Sequence, residues 1–144
     1  MRPKFQFAAI ILILASIMGA CATLGGKEPS PKESLLAVLD RLGVAIAGKN
    51  PDAVNELLSP NFYHPEIGHR GDAYTMMILT VDSGFSGGFV LDYSTVECDI
   101  DTKNGRAHLY PLILKGDQRE FRLGLDMAQR PEDGAWQILT FQLD

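Results

Sequence analysis

The chain has 144 residues, of which 46% are hydrophobic, 22% charged and 8% aromatic, and its net charge is −5 at neutral pH. This composition fits a single compact domain and argues against collagen, repeat arrays, disordered tails and multi-pass membrane proteins. With 18 acidic residues against 13 basic ones, the chain lacks the clustered Lys and Arg that binding nucleic acid by counterion release requires.

Arg2 and Lys4 precede an apolar run from Phe7 to Ile17, broken only by Ser16. The run is too short and too weakly flanked for a spanning helix and has the form of a secretory signal. It ends in Met18-Gly19-Ala20-Cys21, which resembles the lipobox of bacterial lipoproteins, with Met18 where Leu is usual. The resemblance implies a signal peptide over residues 1–20 and acylation of Cys21, palmitate included. An ordinary secretory signal with a chance cysteine, or an uncleaved anchor helix, are the alternatives. Ala22 rather than Asp follows the cysteine, which resembles sorting to the outer membrane and implies a lipid-anchored domain facing the periplasm. Without the leader 124 residues remain, enough to bury about two thirds of the unfolded surface in one core. The leader takes two basic residues with it, leaving 11 against 18 acidic ones and a net charge of −7. Attachment to a membrane must then come from acyl chains rather than from anionic head groups.

Residues 21–31 are expected to be the lipidated cysteine and a Gly-containing tether, and residues 32–144 the folded domain. Ser30-Pro31-Lys32-Glu33 is a helix start, with a Ser cap, Pro at the first helical position and Glu closing the box. Leu35, Leu39, Leu42, Gly43 and Ile46 follow at helical spacing until Gly48. Asn50-Pro51-Asp52 repeats the signal for a short second helix through Val54, Leu57 and Leu58, ended by Ser59-Pro60. Asn61 to Gly68 reads as extended chain, and Gly71 or Asp72 opens a third helix through Tyr74, Met77, Ile78 and Val81, with Met76 and Met77 as core filler. From Phe89 the period changes to two. Four strands are expected, over Phe89–Ile100, Arg106–Leu114, Glu120–Met127 and Ala135–Leu143, joined as antiparallel hairpins at Asn104-Gly105, Gly116-Asp117 and Pro131-Glu132-Asp133-Gly134. Alternation in the third strand gives the sheet one oily face for the helices to cover. Cys98 lies between Val96 and Ile100 at alternate positions, as a buried apolar thiol rather than a redox centre. With Cys21 acylated it has no disulfide partner.

The passage Ala47-Gly48-Lys49-Asn50-Pro51-Asp52-Ala53-Val54-Asn55-Glu56-Leu57-Leu58-Ser59-Pro60-Asn61-Phe62 and the terminal Gly134-Ala135-Trp136-Gln137-Ile138-Leu139-Thr140-Phe141-Gln142-Leu143 resemble the nuclear transport factor 2-like superfamily. The resemblance covers residues 32–144. It implies an α+β fold, with three N-terminal helices packed on a curved antiparallel sheet to form a cystatin-like cone with a pocket at its open end. Ketosteroid isomerase, SnoaL-like cyclases, dehydratases and noncatalytic domains share that scaffold, so the fold alone does not choose a function.

In isomerase-like members the general base is a carboxylate just after the second helix, and an ungapped match brings Glu66 there, with His64 two residues earlier. A carboxylate in an apolar pocket can shuttle protons near neutral pH. The Tyr expected on the first helix is absent, and the acidic partner would lie near Asp126, which alternation turns away from the oily face unless a bulge intervenes. His64, Glu66 and His69 have suitable donors for zinc or iron, but His-x-Glu-x-x-His broken by Pro65 and Gly68 is not a metal pattern, so no metal or cofactor is expected. A zinc deaminase is excluded by the missing Pro-Cys-x-x-Cys. Gly84-Phe85-Ser86-Gly87-Gly88 matches a hydrolase elbow by coincidence, because it leaves a helix and enters a strand. It also lacks the Lys and following helix of a phosphate loop. His108 and Tyr110, alternating with Leu112 and Leu114 on one strand face, are candidate ligand contacts together with His69 and Trp136; the alternative for each is core or surface packing.

Three expectations of different class result. The first is a noncatalytic envelope lipoprotein whose cone binds a small apolar ligand or an envelope protein. The second is a structural role through the exposed sheet face, which could also support a homodimer. The third is an isomerase, cyclase or dehydratase with Glu66 or His64 as base.

Overall fold

The computed structural model describes residues 26–82 and 88–144. The expected leader, Cys21, the first part of the expected tether and Gly84-Phe85-Ser86-Gly87 lie outside the described residues.

Helix α1 spans Pro31–Ala47. Its start is the expected capping box: Glu33 N donates to Ser30 Oγ at 3.2 Å, and Ser30 N donates to the Glu33 carboxylate at 2.7 Å. One stripe of Leu35, Val38, Leu39, Leu42 and Ala45 is buried. Gly48 ends the helix in a right-handed conformation, and the left-handed residue is instead Lys49, with φ 51°. Helix α2, Pro51–Leu57, is capped by Asn50, whose Oδ1 accepts from Ala53 N at 3.1 Å. The stretch expected as extended chain is a small hairpin of β1 (Tyr63–His64) and β2 (Gly68–His69). Helix α3 runs over Arg70–Asp82 and packs mainly on α2 and β2. Arg70 ties its start to α2, with Nε donating to Asn55 Oδ1 at 3.1 Å and a terminal guanidinium nitrogen to Asn55 O at 2.8 Å.

The expected first long strand is two strands, β3 (Val90–Asp92) and β4 (Glu97–Asp101). A turn separates them because Asp92 Oδ1 accepts from Ser94 N at 3.0 Å and from Ser94 Oγ at 2.7 Å, a local alternative to the ladder. Both pair with β5 (Arg106–Lys115), which pairs with β6 (Glu120–Gln129), which pairs with β7 (Trp136–Leu143), and every pairing is antiparallel. Gly105 and Gly134 take positive φ at two of the turns, as the hairpins require. A parallel bridge from Leu58 to Ile138 fastens the end of α2 to β7, and Ser59 N donates to Ile138 O at 2.8 Å.

Two irregularities bend the sheet: β5 carries an extra residue between Leu109 and Leu112, and β7 carries one opposite Asp126 and Met127. The first corrects the expected strand face. Strict alternation sets His108 and Tyr110 beside Leu112 and Leu114, but the extra residue resets the phase. Ala107, Leu109, Leu112 and Leu114 therefore face the core, and His108 and Tyr110 the outer side. Against this inner face lie Leu35, Leu39 and Phe62, which with Leu109, Leu112 and Met127 are the largest fully buried side chains. Truncating a fully enclosed leucine leaves a cavity as well as losing transfer free energy. Leu39→Ala is expected to cost about 2–5 kcal/mol in urea unfolding, whereas Val44→Ala, at a position 75% exposed, stays within about 0.5 kcal/mol.

The turn between β6 and β7 is closed by an ion pair. The Arg130 guanidinium holds the Asp133 carboxyl down to about 2, and Asp133 also accepts from Ala135 N at 3.1 Å. A carboxyl held below its unfolded value of about 4 stabilises the fold above that pH, and the contribution disappears as pH falls through the folded value. Asp133→Asn should therefore melt below wild type at pH 6, with the gap between the two closing as thermal scans move towards pH 2.

Candidate functional site

The residues singled out in the sequence fall in three separate places. His64, Glu66 and His69 sit on the β1–β2 hairpin. The His64 ring stacks on Phe141 with centroids 4.5 Å apart, and its Nδ1 accepts from Glu66 N at 3.2 Å. In the neutral ring the proton is then on Nε2. Glu66 is exposed at the hairpin tip, without apolar enclosure. The exposed His69 ring leans on Tyr63 with centroids 5.2 Å apart. His64 and Glu66 do share a cleft of about 520 Å³ with Tyr63, Pro65 and the end of β7, Thr140 to Leu143.

His108 and Tyr110 are on the other side of the sheet. His108 Nδ1 lies 2.6 Å from Asp126 Oδ1, and Tyr110 donates to Asp144 Oδ2 at 2.6 Å. A Cβ at Gly124 would stand 3.2 Å from His108 Cε1, so a bare glycine lets the imidazole lie flat against β6. Asp126 stays on this outer face because the extra residue opposite it belongs to β7. Asp99, Asp101 and Arg106 extend the polar patch into a shallow cleft of about 410 Å³. Trp136 is 5% exposed and belongs to the core, so packing is its role here. Among the described residues no group of three or more His, Cys, Asp or Glu is arranged to hold a metal ion.

The interior of the cone is apolar. Among the described residues Ser59 is the buried polar one, and no buried side-chain polar atom among them lacks a hydrogen bond. Cys98 is half-buried against the core, and burial pushes its thiol up while Lys32 pulls it weakly back. A thiol held in its neutral form is a poor nucleophile. Iodoacetamide at pH 8 should therefore label Cys98 at least about tenfold more slowly in the folded domain than in urea.

A further concavity, missed in the sequence, lies where the three helices meet. Ala45, Ile46, Pro51, Val54, Met76, Met77, Val81 and Phe89 line a groove of about 170 Å³ between the end of α1, α2 and α3, with Lys49, Asn50 and Thr80 at its polar positions. The signal was present in α3. Its apolar residues go all round the helix, leaving Met76 and Leu79 45% and 62% exposed instead of forming one buried stripe. Tyr74 ties α3 to α2 by donating to Asp52, and Tyr93 donates to Asp40 on α1; these carboxylates push both phenols up.

No family model matches the chain, and no curated protein matches it in sequence. Solved structures do match in shape. An uncharacterized protein with a cystatin-like fold from Caulobacter vibrioides is 16% identical with a TM-score of 0.62, over 78% of this chain and 87% of that one. A nuclear transport factor 2-like superfamily protein from Salmonella enterica is 13% identical with a TM-score of 0.56, over 78% and 89%. A de novo designed protein with a curved β-sheet is 14% identical with a TM-score of 0.54, over 76% and 97%. The chain therefore has the nuclear transport factor 2-like, cystatin-like fold, and that likeness concerns architecture alone.

Proposed function

We propose that this domain is a noncatalytic binding module that takes a small apolar molecule in the groove between its three helices. The observation that carries the reading is the lining of that groove: apolar side chains from three helices and Phe89, with one cation, Lys49, among them. Ligand sites commonly combine an apolar wall with a few polar anchors. Lys49 takes a left-handed backbone as the residue that closes α1, with its N–H on Ile46 O and the Asn50 N–H on Ala45 O, both at 3.0 Å, and this turn sets its side chain at the groove. An apolar ligand with an acidic end fits this arrangement. Catalysis through Glu66 or His64 has less support, because Glu66 is exposed and lies apart from this groove.

The same proposal places the module at the bacterial envelope, anchored by acylation at Cys21 and facing the periplasm. The lipobox-like Met18-Gly19-Ala20-Cys21 supports this, together with a negative charge that leaves anionic head groups unattractive. Labelled palmitate should enter the wild-type protein in a bacterial host and not Cys21→Ser.

The groove is tested with 1-anilinonaphthalene-8-sulfonate, an apolar anion whose fluorescence rises on burial. Saturable binding is expected. Thr80→Trp, which fills the groove from an exposed helix position, should weaken it at least about fivefold, and Lys49→Asn, which tolerates the left-handed backbone, about threefold. Unchanged urea midpoints exclude unfolding as the cause. Equal binding by all three proteins would remove this reading, and wild-type turnover of enolisable ketones abolished by Glu66→Gln would replace it with the enzymatic one.

A further inference from the structure

Among the described residues that line the groove, Phe89 is the one that comes from the sheet side, just ahead of β3. Helix α1 passes so close to β3 that a Cβ at Gly43 would stand 3.8 Å from Leu91 Cβ, and Leu91 is buried beneath it. Side chains alternate along extended chain, so Phe89, two residues before Leu91, shares this helix-covered face. Its ring contact with Phe121 agrees, because Phe121 pairs with the core-facing Leu114.

The register pairs Val90 with Lys115, and one residue further on it sets Phe89 opposite Gly116. A Cβ at Gly116 would stand 2.6 Å from Phe89 Cε1 and 3.0 Å from Cδ1, which no side chain tolerates while the ring stays where it is. The backbone itself does not call for glycine here. Gly116 N closes the β5–β6 turn on Arg119 O at 2.7 Å, but without the positive φ of Gly105 and Gly134. What requires a bare position is the ring, which lies across Gly116 and leans on Phe121 with centroids 6.3 Å apart and planes at 49°. An aromatic laid over a cross-strand glycine covers main chain that the missing side chain leaves open.

We propose that Phe89 is the wall that sets the size of ligand the groove accepts, and that Gly116 positions it by letting its ring lie down on the sheet. The assignment rests on the reading of this groove as a ligand site. Any side chain at 116 lifts the ring off the sheet. Because this face is the one the helices cover, lifting takes the ring towards Ala45, Met77 and Val81, the opposite lining of the groove. The space at stake is small. A cavity of about 150 Å³ holds one benzene, so a groove of about 170 Å³ has room for one ring or a short alkyl chain, and a displaced phenyl competes for the same volume. With Lys49 as the cation beside it, the ligand class is a short-chain or single-ring carboxylate.

The probes are 1-anilinonaphthalene-8-sulfonate, with hexanoate and decanoate as its competitors, on the full chain. Gly116→Ala should weaken the fluorescent probe at least about threefold at an unchanged urea midpoint. In a Phe89→Ala background the same change should have less than about a 1.5-fold effect, because the ring that transmits it is gone. Phe89→Ala alone should raise the affinity for decanoate relative to hexanoate about fivefold, as the space behind the ring opens. Phe89→Leu, which lacks Cε1 and Cζ, takes its place if the alanine variant does not fold. Equal probe affinity in Gly116→Ala and wild type, additive effects in the double variant, or an unchanged decanoate-to-hexanoate ratio would each overturn this assignment and leave the groove reading standing. Wild-type protein that binds none of the three probes would remove the groove reading and this assignment with it.

Discussion

The helices can cover this sheet only if its strands present an unbroken apolar face, and the extra residue at Tyr110-Pro111 decides whether they do. With strict alternation, β5 would send Ala107 and Leu109 to one side and Leu112 and Leu114 to the other. Half of its large side chains would then be in water, and His108 and Tyr110 would be among the leucines. Inserting one residue resets the phase, and the unpaired position suits a proline that has no N–H to give the ladder. Leu109 and Leu112 then stand on the same face, both fully buried in the core. The same insertion bends the strand, which turns a flat layer into the wall of a cone.

This device also explains what could be read in advance. Helix starts were legible because capping is local. Ser30 with Glu33, and Asn50 with Pro51, carry their whole signal within four residues and formed as expected. The antiparallel meander and its turn glycines were legible for the same reason. The phase of β5 was not, because a bulge is settled by what β6 and the helices offer across the sheet, and nothing in Arg106–Lys115 by itself distinguishes the two phases. The break between β3 and β4 did leave a trace in Asp92 and Ser94, a pair able to satisfy backbone donors locally and so end a strand.

The candidate site was less legible than the fold. Nearness in sequence made His64, Glu66 and His69 look like one constellation, but a two-residue hairpin spreads them over a tip, a ring stack and an exposed edge. His108 and Asp126 are 18 residues apart in the chain and in contact across one rung of the ladder, a neighbourhood that only strand register reveals. The groove beside Lys49 depends on three helices meeting, and its hint was negative: an α3 too apolar for a surface helix and without a single buried stripe.

The distribution of polar groups bears on function. Apart from Ser59, the described interior holds no buried polar or charged residue, and the ion pairs at Asp92 with Lys115 and Arg130 with Asp133 lie at the surface, where each contributes little. Stability then rests on apolar packing, and the titratable groups are free to serve the exterior. A core without charges also leaves the fold indifferent to what its rim carries. The groove beside Lys49 can vary its lining residues at small cost to the packing beneath, because Met76 and Thr80 are exposed. A designed curved sheet with the same architecture fits this view: the cone is a solution to covering a bent apolar face.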